Sequence, residues 1–437
     1  MGARETALNV LIACRKNGAW SNSVLKDYVS RDKLDRREAA LATRLCYGVL
    51  QNRMLLDHYL QQLLTGKIRD LHPVIHDILH LGLYQLYMLD KIPDSAAVNE
   101  SVALAKHYCR KQRFAPGLVN AVLRSAVRTK GTLKEPKTLS QKYSHPNELI
   151  KLLSDSVGKS RLEGMLAANN AIPETVIQVN TLKTDLAALT ARLEQEGVEA
   201  KPLSWMENCL VLSGTGNLEQ LPSFKEGLFY VQDAAAKLSV LCAQLCENSR
   251  VLDCCAAPGG KSFAAAIAMN GTGSVQSCDV HSHKISLIQN GAQRLGISNL
   301  SACVQDASVR NDNWVDKMDT VIADVPCSGY GIIRKKPDIR YKNPADMEEL
   351  PALQLKILCN QADYVIPGGV LIYSTCTLLR RENEDVVKAF LALRPDYTLE
   401  PLCLPSVFPI NESGMLTLVP GEYDTDGFFI SRLRRKA

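Results

Sequence analysis

From Arg250 onward the chain alternates apolar strands with helical stretches, and each strand stops at an acid or a cysteine. Apolar runs over 251–254, 274–278, 300–304, 320–323 and 370–373 end at or beside Asp253, Asp279, Asp306, Asp324 and Cys376. Helical stretches over 261–269, 283–295 and 347–365 lie between them. This alternation predicts a mostly parallel sheet with helices on both faces. In such a sheet the carboxyl ends of the strands meet in one crevice, at the point where strand order reverses. Four acids and a thiol at those ends are not a core pattern, because Asp is almost never fully buried without a partner. Two later segments, 415–419 and 427–433, read as antiparallel additions at the sheet edge.

The first of these strands leads into the most specific turn, RVLDCCAAPGGKS at 250–262. Gly259 and Gly260 let the backbone approach a ligand closely, and Lys261 opens an alanine-rich helix. The end of a P-loop is present in Gly260, Lys261 and Ser262, with Asp324 mimicking its acidic partner. The first glycine of that motif, however, falls on Cys255. The better fit is a doubly wound sheet holding an adenosyl ligand. Asp279, 19 positions past Gly260, then suits the ribose hydroxyls, and Asp306 suits the adenine amino group. The bland alternative is a strand–turn–helix with no ligand.

The 437 residues suffice for two or three domains, and 46% apolar with 22% charged content is ordinary for a globular protein. The start reads as a short amphipathic helix rather than a signal peptide, and no apolar run approaches the about 20 residues that cross a bilayer. The fourteen cysteines form no CxxC pair or Cys/His cluster. That argues against zinc or another metal and against a disulfide frame, and for a reducing, cytoplasmic setting.

Residues 1–130 carry a net charge of +9 and the remainder −4. A basic front on a near-neutral body suits an anionic polymer, although a solvated helical face explains it nearly as well. The front reads as a helical bundle. Ala7, Val10, Leu11 and Cys14 make one stripe, with Gly18 as its stop. Leu41, Leu45 and Val49 make a second, and Ile75, Ile78, Leu79, Gly82 and Leu86 a third. A helix starting near Pro93 carries Val98, Val102 and Ala105, and 117–127 supplies the last. The polar stretch GTLKEPKTLSQK, 131–142, is a linker. After two more helices, strands over 176–180, 209–212 and 228–231 with a helix over 185–196 suggest a ferredoxin-like or RRM-like module. It lacks the RNP aromatics, so RNA stacking on its sheet is not expected.

Two further motifs carry the chemistry. ADVPCSGYG at 323–331 places Asp324 and Cys327 on one turn, and YSTCT at 373–377 places Cys376 at a neighbouring strand end. Two thiols and an acid facing one pocket suit covalent attack on C6 of a pyrimidine, which makes C5 nucleophilic toward a methyl donor. Asp324 then grips N3 and the exocyclic amine. Spacing alone does not say which thiol attacks. A base inside a helix hides C5 and C6, so the target must be flipped out or single-stranded.

LDCCAAPGGKS, FYVQDAAAKL, ADVPCSGYG, RKKPDIR, YSTCT and DGFFISRL resemble the motifs of RNA cytosine-5 methyltransferases of the Nol/Nop/Sun (Fmu) family. KIPDSAAVNESVALAK at 91–106 and GLVNAVLR at 117–124 resemble the RNA-binding helical domain of the NusB family. The resemblance implies Cys376 as nucleophile and Cys327 as the thiol assisting product release, with Asp324 and Lys261 beside them. It implies S-adenosyl-L-methionine held by Cys255, Ala256, Ala257, Pro258, Gly259, Gly260, Lys261, Asp279, Asp306 and Asp324. The implied partner is 16S rRNA, unassembled or partly assembled, with the target cytosine expected at position 967. Val325 and Tyr330 depart from the family pattern and bear on substrate preference.

Candidate phosphate contacts are Arg110, Lys111 and Arg113 between the NusB-like motifs, and Arg334, Lys335, Lys336 and Arg340 after the catalytic turn. The expected architecture has three parts: an all-α NusB-like bundle over 1–141, linker helices with a small α+β module over 142–235, and an α/β Rossmann-like methyltransferase domain over 236–437. A monomer is expected. The competing readings are an RNA-binding assembly factor that keeps the fold without the reaction, and a tRNA or DNA cytosine methyltransferase.

Overall fold

The computed structural model describes residues 2–17 and 21–437, so the expected stop at Gly18 lies outside the described residues. The chain forms two compact units. One comprises Met1–Leu152, Leu166–Ala171 and Ile333–Lys342, and the other Leu153–Met165, Ile172–Ile332 and Asn343–Ala437.

The first unit is helical: α1 (Ala3–Asn17), α2 (Ser21–Arg31), α3 (Arg36–Leu63), α4 (Pro73–Met88), α5 (Asp94–Tyr108), α6 (Ala115–Arg128) and α7 (Leu139–Tyr143). Asp35 caps α3 by accepting from the backbone N–H groups of Arg37 and Glu38. Ala7, Val10, Leu11, Leu45 and Val49 are buried as their spacing predicts. Each such buried leucine contributes about 2 kcal/mol. The helix α4 departs from a one-faced stripe, because every residue from Ile78 to Leu86 is buried. A helix buried on every side sits at the centre of its bundle, here with Asp77, His80 and Gln85 among its buried residues. The close approach of α3 to α4 depends on Gly48, where a Cβ would lie 1.9 Å from the Tyr84 ring.

The second unit holds two sheets. The smaller consists of β1 (Thr175–Val179), β2 (Glu199–Pro202), β3 (Cys209–Ser213) and β4 (Phe229–Val231), in the order β2-β3-β1-β4. All its pairings are antiparallel. The edge strand β2 escaped the sequence reading because EAKP is polar, mostly exposed and ends in proline.

The larger sheet contains β5 (Arg250–Asp253), β6 (Ser274–Asp279), β7 (Leu300–Val304), β8 (Met318–Asp324), β9 (Val365–Thr375), β10 (Tyr397–Leu399), β11 (Met415–Leu418) and β12 (Phe428–Arg435). Its order is β10-β12-β9-β8-β5-β6-β7, with β11 also paired to β12. Strands β5 to β9 run parallel. The chain winds outward from β5 through β6 to β7 and then returns to β8 on the other side of β5, which creates a switch point there.

Two expectations need correcting. The segment 427–433 is not at the sheet edge: β12 lies between β9 and the pair β10 and β11, with Phe429, Ile430 and Leu433 buried. The helix expected over 347–365 is shorter, Leu350–Ala362, because Val365 already pairs with Met318 as the start of β9.

Candidate active site

The turn after β5 is held by backbone bonds: Ala256 N–H donates to Cys278 O and Gly259 N–H to Ala256 O, both at 2.7 Å. Gly259 has φ +113°, and a Cβ there would fall 2.5 Å from the Phe263 ring. Only glycine takes this position without strain. The helix Gly260–Ala268 then opens with no side-chain cap, leaving its first N–H groups directed outward. Beneath the turn Asp253 is fully buried and accepts from Ser262 Oγ at 2.7 Å, and Ser277 Oγ bonds Ser262 Oγ at 2.8 Å. Burial pushes the Asp253 carboxyl up to about 7, against the Ser262 hydrogen bond and the nearby Lys261 charge. Its Oδ1 is buried without a partner.

Lys261, the next residue in the helix, reaches Asp324 at the end of β8, with Nζ 2.6 Å from Oδ2. Ser374 on β9 pairs in register with Asp324 and donates from Oγ to its Oδ1 at 2.8 Å. Both Asp324 oxygens are therefore held, and the carboxylate is aimed by two strands and a helix. Burial lowers the Lys261 ammonium, but Asp324 outweighs that effect and the net shift is upward. The Lys261 ammonium therefore stays charged at neutral pH. The Phe428 ring lies 5.1 Å from the same ammonium.

Cys327 and Cys376 face each other with their sulfurs 3.2 Å apart. The Cys327 thiol is pushed well above its usual range, first by its hydrogen bond with Cys376 and then by burial, with the Asp324 charge adding to the effect. Cys327 thus remains a protonated thiol beside its neighbour.

The two loops carrying these thiols are tied together. Ser328 Oγ and Thr377 Oγ1 are 2.7 Å apart, Gly331 N–H donates to Cys376 O at 2.9 Å, and Gly427 N–H donates to Gly331 O at 2.8 Å. A Cβ on Gly331 would lie 2.0 Å from Gly427 O. Fully buried Glu382 accepts from Ser328 N–H and from Gln354 Nε2, both at 2.9 Å. Asn383 accepts from Thr375 Oγ1 at 2.6 Å and donates to Thr377 O at 3.0 Å. Sequence reasoning gave no role to Gln354, Ser374, Glu382 and Asn383, and it read Ser262 only as the end of a P-loop. The only signal was the polar pair Glu382-Asn383 just before an amphipathic helix, which reads as an ordinary helix start.

The remaining expected cofactor residues are spread along the strand ends. Asp279 is buried and accepts from His281 N–H at 3.0 Å, with Lys284 Nζ 3.6 Å away. Asp306 is exposed and accepts from Ser308 N–H at 2.8 Å. A cavity of about 910 Å³ lies elsewhere in this unit, lined by Trp205, Tyr230, Lys237 and Ile267 among others, and includes none of the strand-end acids.

The expected RNA contacts divide. Arg110, Lys111 and Arg113 are exposed between α5 and α6, beside an equally exposed Phe114. Lys336 is exposed, whereas Arg334 and Lys335 are half-buried. Arg340 is a correction. It is 1% exposed, and its guanidinium donates to Gln51 O at 2.9 Å, Asn170 Oδ1 at 2.8 Å and Asn169 O at 3.2 Å. With its donors turned onto carbonyls inside the helical unit, it has no face to offer a phosphate.

Three families match successive segments of the chain. Residues 240–434 match the 16S rRNA methyltransferase RsmB/F family, 1–128 the NusB family, and 145–219 the RsmF/B-like ferredoxin-like domain. A probable ribosomal RNA small subunit methyltransferase B of Bacillus subtilis is 36% identical, covering 99% of this chain and 98% of the relative. The ribosomal RNA small subunit methyltransferase B of Vibrio cholerae is 33% identical over 93% of this chain and 92% of its own. Among solved structures, that of PH0851 superposes with a TM-score of 0.81 at 24% identity, covering 100% of this chain and 99% of the other. NSun6 from Pyrococcus horikoshii with SFG superposes at 0.58 and 20% identity, over 67% of this chain and 98% of the other. These two likenesses concern the fold. The sequence matches reach from the helical front through both sheets, and with them the chain belongs to the RsmB/F family of 16S rRNA methyltransferases.

Proposed function

We propose that this protein methylates carbon 5 of a cytosine in 16S rRNA, with S-adenosyl-L-methionine as donor and Cys376 as covalent nucleophile. The observation that carries the reading is the pair of sulfurs 3.2 Å apart, next to an aspartate whose two oxygens are both anchored.

The residues present suit the donor. The uncapped helix start and the glycine turn would hold its carboxylate, Asp279 would take its ribose hydroxyls, and Asp306 would meet its adenine. Bound there, the donor supplies an electrophilic methyl group on a sulfonium centre.

The chain's own residues do the rest. The Cys376 thiolate adds to C6 of the base, and the electron pair of the C5–C6 bond moves to C5 and into the ring. Asp324 holds the exocyclic amine, and the Lys261 ammonium beside it places positive charge near the ring as negative charge builds there. After C5 is substituted, its proton passes to solvent water, the C5–H electron pair re-forms the C5–C6 double bond, and the C6–S bond breaks with its electron pair leaving on the Cys376 sulfur. Cys327, kept protonated, stands next to the departing sulfur as a proton source and assists release. Glu382 and Asn383 position both thiols through the loops they tie.

The test uses 16S rRNA and a tritiated methyl donor. Cys376→Ala should lose transfer by several orders of magnitude. Cys327→Ala should accumulate a protein–RNA adduct that survives a denaturing gel. Retained transfer in the first variant would overturn the nucleophile assignment, and absence of a slow band in the second would overturn the division of labour.

A further inference from the structure

One side-chain cluster in the helical unit has no part in methyl transfer. His76 and His80 are four residues apart on α4, so they project from the same face one turn apart. Their rings lie 4.1 Å apart between centroids. Asp57 comes from α3, and its Oδ1 is 2.6 Å from His76 Nε2 and 2.8 Å from His80 Nε2. One donor atom from each of the three residues lies within 4.8 Å of the others. The sequence reading missed the cluster because it sought cysteines and close spacing, and Asp57 is remote from both histidines in the chain.

The surroundings resemble those of a metal-binding position. His80 is 2% exposed and His76 16%, whereas the Asp57 side chain is 32% exposed. The histidine side is closed by the core and the carboxylate side opens to water. We propose that Asp57, His76 and His80 bind one divalent transition metal ion, and that this ion fastens α3 to α4.

Two imidazoles and one carboxylate favour zinc, cobalt or nickel over magnesium or calcium, which take mainly oxygen ligands. Bonds of about 2.0–2.2 Å in a tetrahedral arrangement set the donors about 3.3 Å apart. Asp57 must therefore withdraw by roughly half an ångström from its present hydrogen bonds, and it sits on the side where that movement meets solvent. Each neutral imidazole gives its Nε2 lone pair and carries its proton on Nδ1 instead. Water fills the fourth position, on the open side.

The experiment uses the full chain stripped with a chelator and titrated with cobalt followed by visible absorption, and with zinc followed by calorimetry. One equivalent should bind, and zinc should raise the unfolding temperature. His76→Ala and Asp57→Asn should each lose binding and the thermal gain, while His58→Ala, a half-buried neighbour whose ring bonds Lys134 O instead of the cluster, keeps both. His80→Ala is avoided because that ring is part of the core. Failure of the unaltered chain to bind would overturn the proposal. So would binding that persists unchanged in both cluster variants, which would point to the paired cysteines. Neither result depends on methyl transfer, so the proposed reaction and the proposed metal site fail independently.

Discussion

Arg340 and the Arg110–Arg113 turn are both basic features of the helical unit, and their fates are opposite. The turn places Arg110, Lys111 and Arg113 in water, next to an exposed aromatic ring. Arg340 is sequestered, with five donor contacts to carbonyl and amide oxygens contributed by segments far apart in sequence. Burial draws its guanidinium down to about 10, so even this always-charged group registers its surroundings. Charge counted along a chain thus mixes groups that meet a polyanion with groups that hold a fold together. Only the position of each head group separates them.

The largest effect that sharpens this contrast should come from Arg340→Ala. The substitution strands several buried carbonyls at once and should cost about 3 kcal/mol or more in the stability of the helical unit. Thermal and urea unfolding of the full chain measure it, and an unchanged midpoint would return Arg340 to the list of candidate RNA contacts. Next comes the triple variant Arg110→Ala, Lys111→Ala, Arg113→Ala. Stability should hold, while affinity for 16S rRNA falls roughly tenfold and the slope of log affinity against log salt drops by about 2. An unaltered slope would make the turn a solvated face and nothing more.

The smallest effect concerns His145, buried beside Arg340 and bonded between Tyr143 O at 2.6 Å and Asn169 at 3.3 Å. Burial, and then the Arg340 charge, lower its pKa well below the usual 6.5. The unfolded chain therefore binds the proton that the folded chain refuses. Its contribution is intact above about pH 6.5 and declines as pH falls below it, by about 1.4 kcal/mol for each further unit. Melting temperatures between pH 7.5 and 5.5 should show this decline in the parent chain and a shallower one in His145→Gln.

The carboxyl ends of the larger sheet's strands were more legible than the helical unit. Strand ends carrying Asp253, Asp279, Asp306 and Asp324, the glycine turn and the two thiol-bearing loops are all local patterns, and alternation with helices says where they converge. The supporting residues were not legible. Glu382, Asn383 and Gln354 act by reaching across loops, and nothing in their immediate neighbours distinguishes them from surface polar residues. The exposed strand β2 carried no apolar alternation to reveal it, and α4 looked one-sided because its burial comes from neighbours on every flank.

What the sequence by itself determined is whatever rests on spacing within about twenty residues: strands against helices, the turn that only glycine permits, and the chemistry that each strand end presents. The tertiary structure alone decided the rest. It brought Cys327 to within 3.2 Å of Cys376, set β12 inside the sheet, withdrew Arg340 from solvent and joined Asp57 to two histidines. The reason is physical. Periodicity reports which face of an element is apolar, whereas a hydrogen bond, an ion pair or a burial depends on which distant segment arrives opposite that face.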